Sequence, residues 1–262
     1  LTFDLKAGTL KSYVLKGMIM IENGPQPAFW RAPTDNDIGA GFNKNMRMWR
    51  NAWQEGTLTE AKVNTENPGT VEVIFSKNLV NGDAVAKQKL TVYADGSVRV
   101  DNQFEPVKGN YKLMMRIGND LQVSKQLDQI KWFGRGPGES YWDRKSASLV
   151  GIYNQTLAEQ YFAYARPQES GNKSDVRWYT LTNKKGKGLR VEFVQDLLNC
   201  SALPYSLDDL DPEADKKQYH SGELVQRNEI YMHIDFQQTG MQGMDSWGAW
   251  PLKKYQIPVA KQ

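Results

Sequence analysis

The chain has 262 residues, 40% of them hydrophobic, which is enough to bury a substantial core as one large domain or as two smaller ones. Its 33 basic and 30 acidic residues leave a formal charge of +3, and this balance argues against nucleic acid or an anionic membrane surface as a partner. A single cysteine, Cys200, excludes an internal disulfide and leaves the compartment open.

The first residues, Leu1 to Asp4, lack the charged region followed by an apolar one that a signal peptide has. No apolar run approaches the roughly 20 residues of a membrane span, so we predict no membrane partner. The chain opens on Leu1 within an alternating pattern typical of a structured region. We therefore expect that a segment upstream has been removed, and localisation signals with it.

Alternating apolar and polar residues recur along the chain, a period typical of strands with one buried face. The first such strands are predicted over residues 70–75, 89–93 and 97–101. Turn residues at 81–83 and 94–96 supply the positive-φ positions that tight hairpins need. Residues 70–106 are therefore predicted to form an antiparallel meander.

The rest of the chain predicts more strands and little helix. Further strands are predicted over residues 129–133, 147–153, 177–182, 189–193 and 229–236. Short helices are predicted at 45–54 and 207–216, the second with Ser206 as its N-cap. Residues 22–44 and 134–146 are interpreted as long loops, which tend to be functional or closely packed. The class is all-β, and we favour one domain over residues 1–262.

Four segments have a composition that simple turns do not require, and we call them the first to fourth signature segments. They read FWRAPTDNDIG over 29–39, WFGRGPGESYWDR over 132–144, RPQESG over 166–171 and DSWG over 245–248. In this order they resemble the C-terminal small-chain domain of the β-galactosidases of glycoside hydrolase family 2. The resemblance runs along essentially the whole chain.

The resemblance implies a fold, an activity and a partner. The fold would be a large antiparallel sandwich of the galactose-mutarotase-like type, or supersandwich. The activity would be hydrolysis of terminal β-galactosides such as lactose, by two glutamates of a (β/α)8 barrel upstream of this domain. The partners would be the β-galactoside and the other domains of the parent, whose compartment could be cytoplasm or periplasm.

Glu139 and Glu169 are the tempting candidates for a catalytic pair in this chain. A retaining glycosidase needs two carboxyl groups about 5–5.5 Å apart, one protonated and one ionised. Each glutamate lies beside an arginine in sequence, Arg144 and Arg166, and such a partner holds a carboxylate ionised. We favour structural ion pairs and predict no catalytic residue here.

Trp247 is the residue that the resemblance marks for function. In the family, a tryptophan at this place reaches into the barrel's active site and stacks on sugar. We expect Trp247 and Asp245 to bind substrate, with Trp250 as a second platform or as packing beneath the first. The chain departs from the family's usual Gly-Val-Gly-Gly-Asp by Gln242 and Met244, which puts the loop's shape and substrate preference in doubt.

The first signature segment holds three charged residues close together. Arg31, Asp35 and Asp37 would contact neighbouring domains or sugar in one interpretation, and form a buried hydrogen-bonded loop anchored by Trp30 in the other. We favour the buried loop.

Two alternatives to the accessory domain stay open. A stand-alone epimerase of the mutarotase type would use His220 with Glu223 or Glu229 as acid and base, and a carbohydrate-binding module would need only an exposed aromatic surface. Histidine is scarce, and no His or Cys spacing fits a metal site. We predict neither a metal nor a cofactor.

Overall fold

The computed structural model describes residues 1–109, 111–194, 196–211, 219–241 and 247–259. These residues form mainly antiparallel β-structure. The strands are β1 (Thr2–Asp4), β2 (Thr9–Leu15), β3 (Met18–Ala28), β4 (Thr57–Asn64), β5 (Thr70–Leu79), β6 (Ala84–Tyr93), β7 (Val98–Pro106), β8 (Leu113–Met114), β9 (Arg116–Ser124), β10 (Gln129–Gly136), β11 (Leu149–Thr156), β12 (Lys173–Val176), β13 (Trp178–Thr182), β14 (Gly188–Glu192), β15 (Leu198–Leu203), β16 (Glu229–Gln238) and β17 (Ile257–Pro258).

Helices are short and lie between the strands. They are α1 (Asp35–Gly39), α2 (Phe42–Asn45) and α3 (Leu207–Leu210), with single 3-10 turns at Arg47–Trp49, Val80–Gly82, Leu157–Glu159, Ser221–Glu223 and Lys253–Tyr255. None of the helices in the described ranges is long and apolar enough for a membrane crossing.

The strands form one long sheet, two four-stranded sheets and one short pair. Seven strands make the long sheet in the order β1-β2-β3-β9-β16-β15-β12. The four-stranded sheets run β4-β5-β6-β7 and β11-β10-β13-β14, and β17 pairs with β8. Every pairing is antiparallel, so each strand can bury one face and leave the other polar.

One face of the long sheet is covered by both four-stranded sheets. Alternate residues of β9 show this, because Ile117 packs into the core beneath β5 and β6, whereas Leu121 and Val123 pack into the core beneath β10 and β13. Phe75 and Trp132 are fully buried centres of these two cores. The arrangement is an antiparallel sandwich.

The opposite face of the same strands is polar. Arg116 and Asp120 alternate with the apolar residues of β9, and His233 lies directly across from Asp120 on β16. Asp235, two residues further along β16, is completely buried. Charged groups therefore line a face that the core does not use.

The all-β class and the antiparallel sandwich predicted from the sequence are confirmed. The meander over 70–106 is also confirmed, since β5, β6 and β7 pair in succession. Asn81 and Gly96 have φ values of 55° and 89°, as the hairpin turns require.

Two local predictions were wrong. The single loop predicted over residues 22–44 does not form, because its first part belongs to β3 and a loop begins only after Ala28. A helix over 45–54 does not form, because tight i to i+3 turns replace it and bury both Trp49 and Trp53. The helix predicted over 207–216 begins correctly at the Ser206 cap and ends at Leu210, and residues 212–216 of the prediction lie outside the described ranges.

Candidate functional site

The first signature segment folds into a capped helical turn. Thr34 is the N-cap of α1, and its hydroxyl accepts a hydrogen bond from the backbone N–H of Asp37 at 3.1 Å. The Asp37 carboxylate accepts in return from the backbone N–H of Thr34 at 2.9 Å. This reciprocal capping satisfies two backbone donors and fixes the direction in which α1 leaves the loop.

Arg31 and Asp37 form a completely buried ion pair. Their closest nitrogen and oxygen atoms are 3.0 Å apart, and neither side chain is exposed. Arg31 also donates to the carbonyl oxygens of Thr239 and, at 3.2 Å, Gly240. Burial acts to lower the pKa of Arg31, but Asp37 and, to a smaller extent, Glu169 and Tyr141 together outweigh it and raise that pKa. We call Arg31, Asp37, Thr239 and Gly240 the Arg31 junction.

The junction joins the first signature segment to the chain that leads into the fourth. Beside it, the Asn36 side chain donates to the carbonyl of Met241 at 3.2 Å. Further along, the indole N–H of Trp247 donates to the carbonyl of Asp35 at 2.9 Å. Residues 242–246 lie outside the described ranges, and the predicted substrate-binding residue Asp245 is among them.

Trp247 packs against α1, and most of the residue is exposed. Its relative exposure is 72%, although the indole N–H is bonded inward. A Cβ atom added to Gly39 would lie only 2.8 Å from the ring, so glycine allows the close approach. Gly248 has a φ of 83°, a backbone conformation that favours glycine. We call Trp247 with Asp35, Gly39 and Gly248 the Trp247 platform.

The exposed side of the platform includes the carboxylate of Asp35. Gln168 of the third signature segment makes two hydrogen bonds to Asp35, both 3.2 Å long. Its side-chain N–H donates to the Asp35 carboxylate, and its side-chain oxygen accepts from the backbone N–H of Asp35. Arg166 approaches the same carboxylate at 3.4 Å. Asp35 is thus held in place, and about half of its side chain remains exposed.

Trp250 packs against the neighbouring helix α2. Its ring meets the buried ring of Phe42 edge to face, with centroids 5.0 Å apart, and 45% of the residue is exposed. Trp250 is therefore partly packing and partly surface. Whether it contacts sugar stays a prediction, as it does for Asp35.

The second signature segment meets the others through Glu139. This carboxylate accepts hydrogen bonds from Arg144, from the hydroxyl of Tyr164 and, at 2.8 Å, from the backbone N–H of Gly171. The predicted ion pair with Arg144 is therefore present. With its oxygens bound to so many donors, Glu139 serves as a structural tie.

The structure corrects the ion pair expected for Glu169. Arg166 binds Asp35, and Glu169 instead accepts a bond from the Tyr141 hydroxyl at 3.3 Å. Glu169 is buried, and this burial raises its pKa, although the neighbouring side chains, first His233 and then Arg31, act to lower it. The prediction that Glu169 pairs with Arg166 was wrong because closeness along the chain does not determine closeness in the fold.

The histidine proposed for an epimerase lies on the surface. His220 is exposed, and its backbone N–H donates to the carboxylate of Glu223 at 2.5 Å, while the ring faces the carbonyl of Ala165. The Glu223 carboxylate thus caps a 3-10 turn. His220 and Glu223 therefore do not form an acid and base pair in a closed cleft.

No group of three or more His, Cys, Asp or Glu side chains is arranged to hold a metal ion in the described part of the chain. The structure does, however, bring together a buried polar network that the sequence did not reveal. Arg116 pairs with Asp120 and Asp235, and Asp120 contacts the imidazole of His233. Strand periodicity could have placed these residues on one face, had β9 been recognised as a strand.

Fold and site together define a β-sandwich domain that holds an exposed aromatic platform on a rigid buried junction. Comparisons with known proteins agree with the resemblance seen in the sequence. The family described as "Beta galactosidase small chain" matches residues 1–262. The chain therefore belongs to the β-galactosidase small-chain family.

Curated β-galactosidases are among the similar proteins. The enzyme of Priestia megaterium is 32% identical over 94% of this chain, and the enzyme of Halalkalibacterium halodurans is 31% identical over 94%. The enzyme of Lactobacillus delbrueckii subsp. bulgaricus is 35% identical over 86%. The matched region is only 23%, 24% and 21% of these relatives, so the chain spans less than a quarter of their length.

Proposed function

We propose that this chain is the C-terminal accessory domain of a β-galactosidase. In this proposal the Trp247 platform completes a sugar site whose two catalytic glutamates belong to an upstream barrel, and the chain has no catalytic carboxylates of its own. The ligand is a terminal β-galactoside, and the other partners are the remaining domains of the parent. No metal or cofactor is required from this domain.

The exposure of Trp247 carries the proposal. A tryptophan that served only the core would be buried, as Trp30 and Trp132 are, each at 1% exposure or less. The residue Trp247 is instead 72% exposed, while the only polar atom of its ring is bonded to the carbonyl of Asp35. What remains is a fixed apolar face, which suits the C–H side of a pyranose ring.

The surroundings of Glu139 and Glu169, the two glutamates considered as a catalytic pair, support the absence of catalytic carboxylates. Glu139 is held by three donors, and Glu169 is buried at 5% exposure beneath Tyr141. A nucleophile and an acid must both reach the anomeric centre from about 5–5.5 Å apart. Both oxygens of Glu139 already accept hydrogen bonds, and Glu169 is buried away from a ligand on the surface.

The test uses the full-length β-galactosidase that contains this domain. Trp247→Ala should lower kcat/KM for a nitrophenyl β-galactoside by about tenfold, because the apolar face of the ring is lost. Trp247→Phe should restore most of the loss, since the face remains. Trp250→Ala serves as the matched control and should have the smaller effect. Unchanged kinetics in Trp247→Ala would refute the platform, and hydrolysis by the isolated 262-residue chain would refute the accessory role.

A further inference from the structure

A polar cavity lies on the face of the long sheet that does not pack into the core. It measures about 320 Å³. Its floor is the polar face of β9 and β16, and its walls come from β3, the turns after α2 and the start of α3. The volume is at the lower end of the range for ligand sites, about 300–1,000 Å³, and fits a single pyranose ring.

The charged groups that line this cavity are paired with one another or with neighbours. Arg50 binds Asp208 at 2.5 Å and Asp211 at 3.2 Å, and Arg227 binds Asp209 at 2.6 Å. An anion would have to compete with these carboxylates for each arginine. The wall therefore favours a neutral ligand.

Two side chains contact the carboxylate of Asp120. Arg116 binds its carboxylate directly, and the imidazole Nδ1 of His233 lies 2.5 Å from it. Burial acts to raise the pKa of Asp120, but these two groups outweigh it and hold that pKa below its usual value. A cation would find no free carboxylate at the floor.

Neutral polar groups dominate what remains of the lining. Five residues with side-chain amides line the cavity: Asn23, Gln26, Asn51, Gln54 and Gln122. An amide both donates and accepts hydrogen bonds, as each hydroxyl of a sugar does. The phenol ring of Tyr231 adds an aromatic surface, which suits the apolar side of a pyranose.

Two of these groups have unused hydrogen-bonding capacity. Several of the side-chain amides bond to each other, for example Gln54 to Gln26 at 3.1 Å. The side-chain amide of Gln122 bonds to no other described residue. Nδ1 of His233 is occupied by Asp120, which leaves Nε2 without a partner among the described residues. Both lie on the floor, where a ligand would rest.

We propose that this cavity binds a neutral pyranose sugar, as a second carbohydrate site in addition to the Trp247 platform. Its lining shares no residue with the platform. Because the cavity lies within this chain alone, the inference does not depend on the accessory role proposed above.

The experiment is an NMR titration of the ¹⁵N-labelled 262-residue chain with methyl β-D-galactopyranoside and methyl β-D-glucopyranoside, and separately with inorganic phosphate. We expect saturable shifts of the Gln122 side-chain amide and the His233 ring with a millimolar Kd for at least one glycoside, and none with phosphate. Gln122→Ala should weaken the binding about fivefold through loss of a hydrogen-bonding amide. Gln103→Ala, an exposed glutamine on β7, is the matched control and should leave the Kd unchanged.

Trp247→Ala separates the two sites and should also leave this Kd unchanged. The proposal is overturned if neither glycoside saturates by about 100 mM, if phosphate produces the shifts instead, or if sugar shifts vanish in Trp247→Ala and persist in Gln122→Ala. The last result would assign all binding to the platform. A dispersed spectrum for each variant establishes that it is folded.

Discussion

The Arg31 junction and the Trp247 platform lie next to each other and are built on opposite principles. In the junction, Arg31 and Asp37 are completely buried and each is bound by the other. On the platform, Trp247 is 72% exposed and only its N–H is bound. Both include residues of the first signature segment, yet one satisfies its polar groups internally and the other leaves an apolar face to solvent.

This difference indicates two separate reasons why the signature segments have an unusual composition. Buried charges need partners with specific geometry, so residues such as Arg31 and Asp37 are tied to the fold whatever the domain binds. An exposed tryptophan next to glycine contributes little to folding and is better explained by binding. Stability should therefore depend on the junction, and ligand binding on the platform.

Removing one partner of the buried pair should have the largest effect on stability. Arg31→Met removes the guanidinium that pairs with the buried Asp37 carboxylate, and we expect a loss of about 3–5 kcal/mol in the free energy of unfolding. Urea denaturation of the chain, followed by far-UV circular dichroism, measures this. The double variant Arg31→Met, Asp37→Leu should lose less than the sum of the two single variants.

The exposed pair of Arg99 and Asp101 provides the matched control. Arg99→Met removes the same kind of side chain from the surface of β7 and should leave the urea midpoint unchanged. Equal midpoints for Arg31→Met and the wild-type chain would mean that the junction does not hold the fold.

The second prediction concerns Asp235, in the buried network beside the junction. Burial raises its pKa from 3.8 to about 7, although Arg116 and then His233 oppose the shift. The folded chain therefore keeps a proton between pH 4 and 7 that the unfolded chain has lost. Stability from this group is complete below pH 4 and is lost as the pH rises to 7, by roughly 2–4 kcal/mol. Urea unfolding at several pH values measures the slope.

Asp235→Asn tests the assignment, because the amide imitates the protonated acid. The variant should match the wild-type chain near pH 4 and become the more stable of the two as the pH rises to 7, since it has no proton to lose. Glu169, whose pKa burial also raises, contributes a slope of the same sign in both proteins. Parallel pH profiles would show that Asp235 is ionised in the fold and held by Arg116.

The sequence predicted the fold where alternation and turns coincide. The meander of β5, β6 and β7 is an example, since each hairpin turn contains a residue suited to positive φ. β3 was missed because Gly24, Pro25 and Pro27 interrupt its alternation and resemble a loop. Local composition cannot report that β9 supplies the pairing partner for this strand.

The candidate site was predictable only in part. Its exposed residue, Trp247, was identified through the resemblance, and the buried role of Arg31 and Asp37 was the favoured interpretation of their segment. Gln168, which holds Asp35, and His233, which faces the polar cavity, gave no local signal. Their importance arises from contacts across more than 100 residues of sequence, which only the folded chain brings about.

The smallest effect on stability is expected at the platform. Trp247→Ala removes the ring that we propose for sugar binding, yet the free energy of unfolding should change by less than about 0.5 kcal/mol, because most of the ring is already in water. Trp30→Ala, in the first signature segment, is the matched control. That ring is buried and bonded to Asp211 at 2.9 Å, so its loss should cost about 3–5 kcal/mol.

Urea unfolding of both variants decides between binding and folding as the reason for Trp247. A loss in Trp247→Ala close to that in Trp30→Ala would mean that the ring mainly fastens the fourth signature segment to α1. In that case a kinetic defect of the full-length variant would follow from a displaced loop. A small loss combined with that defect would instead trace the defect to the exposed face of Trp247.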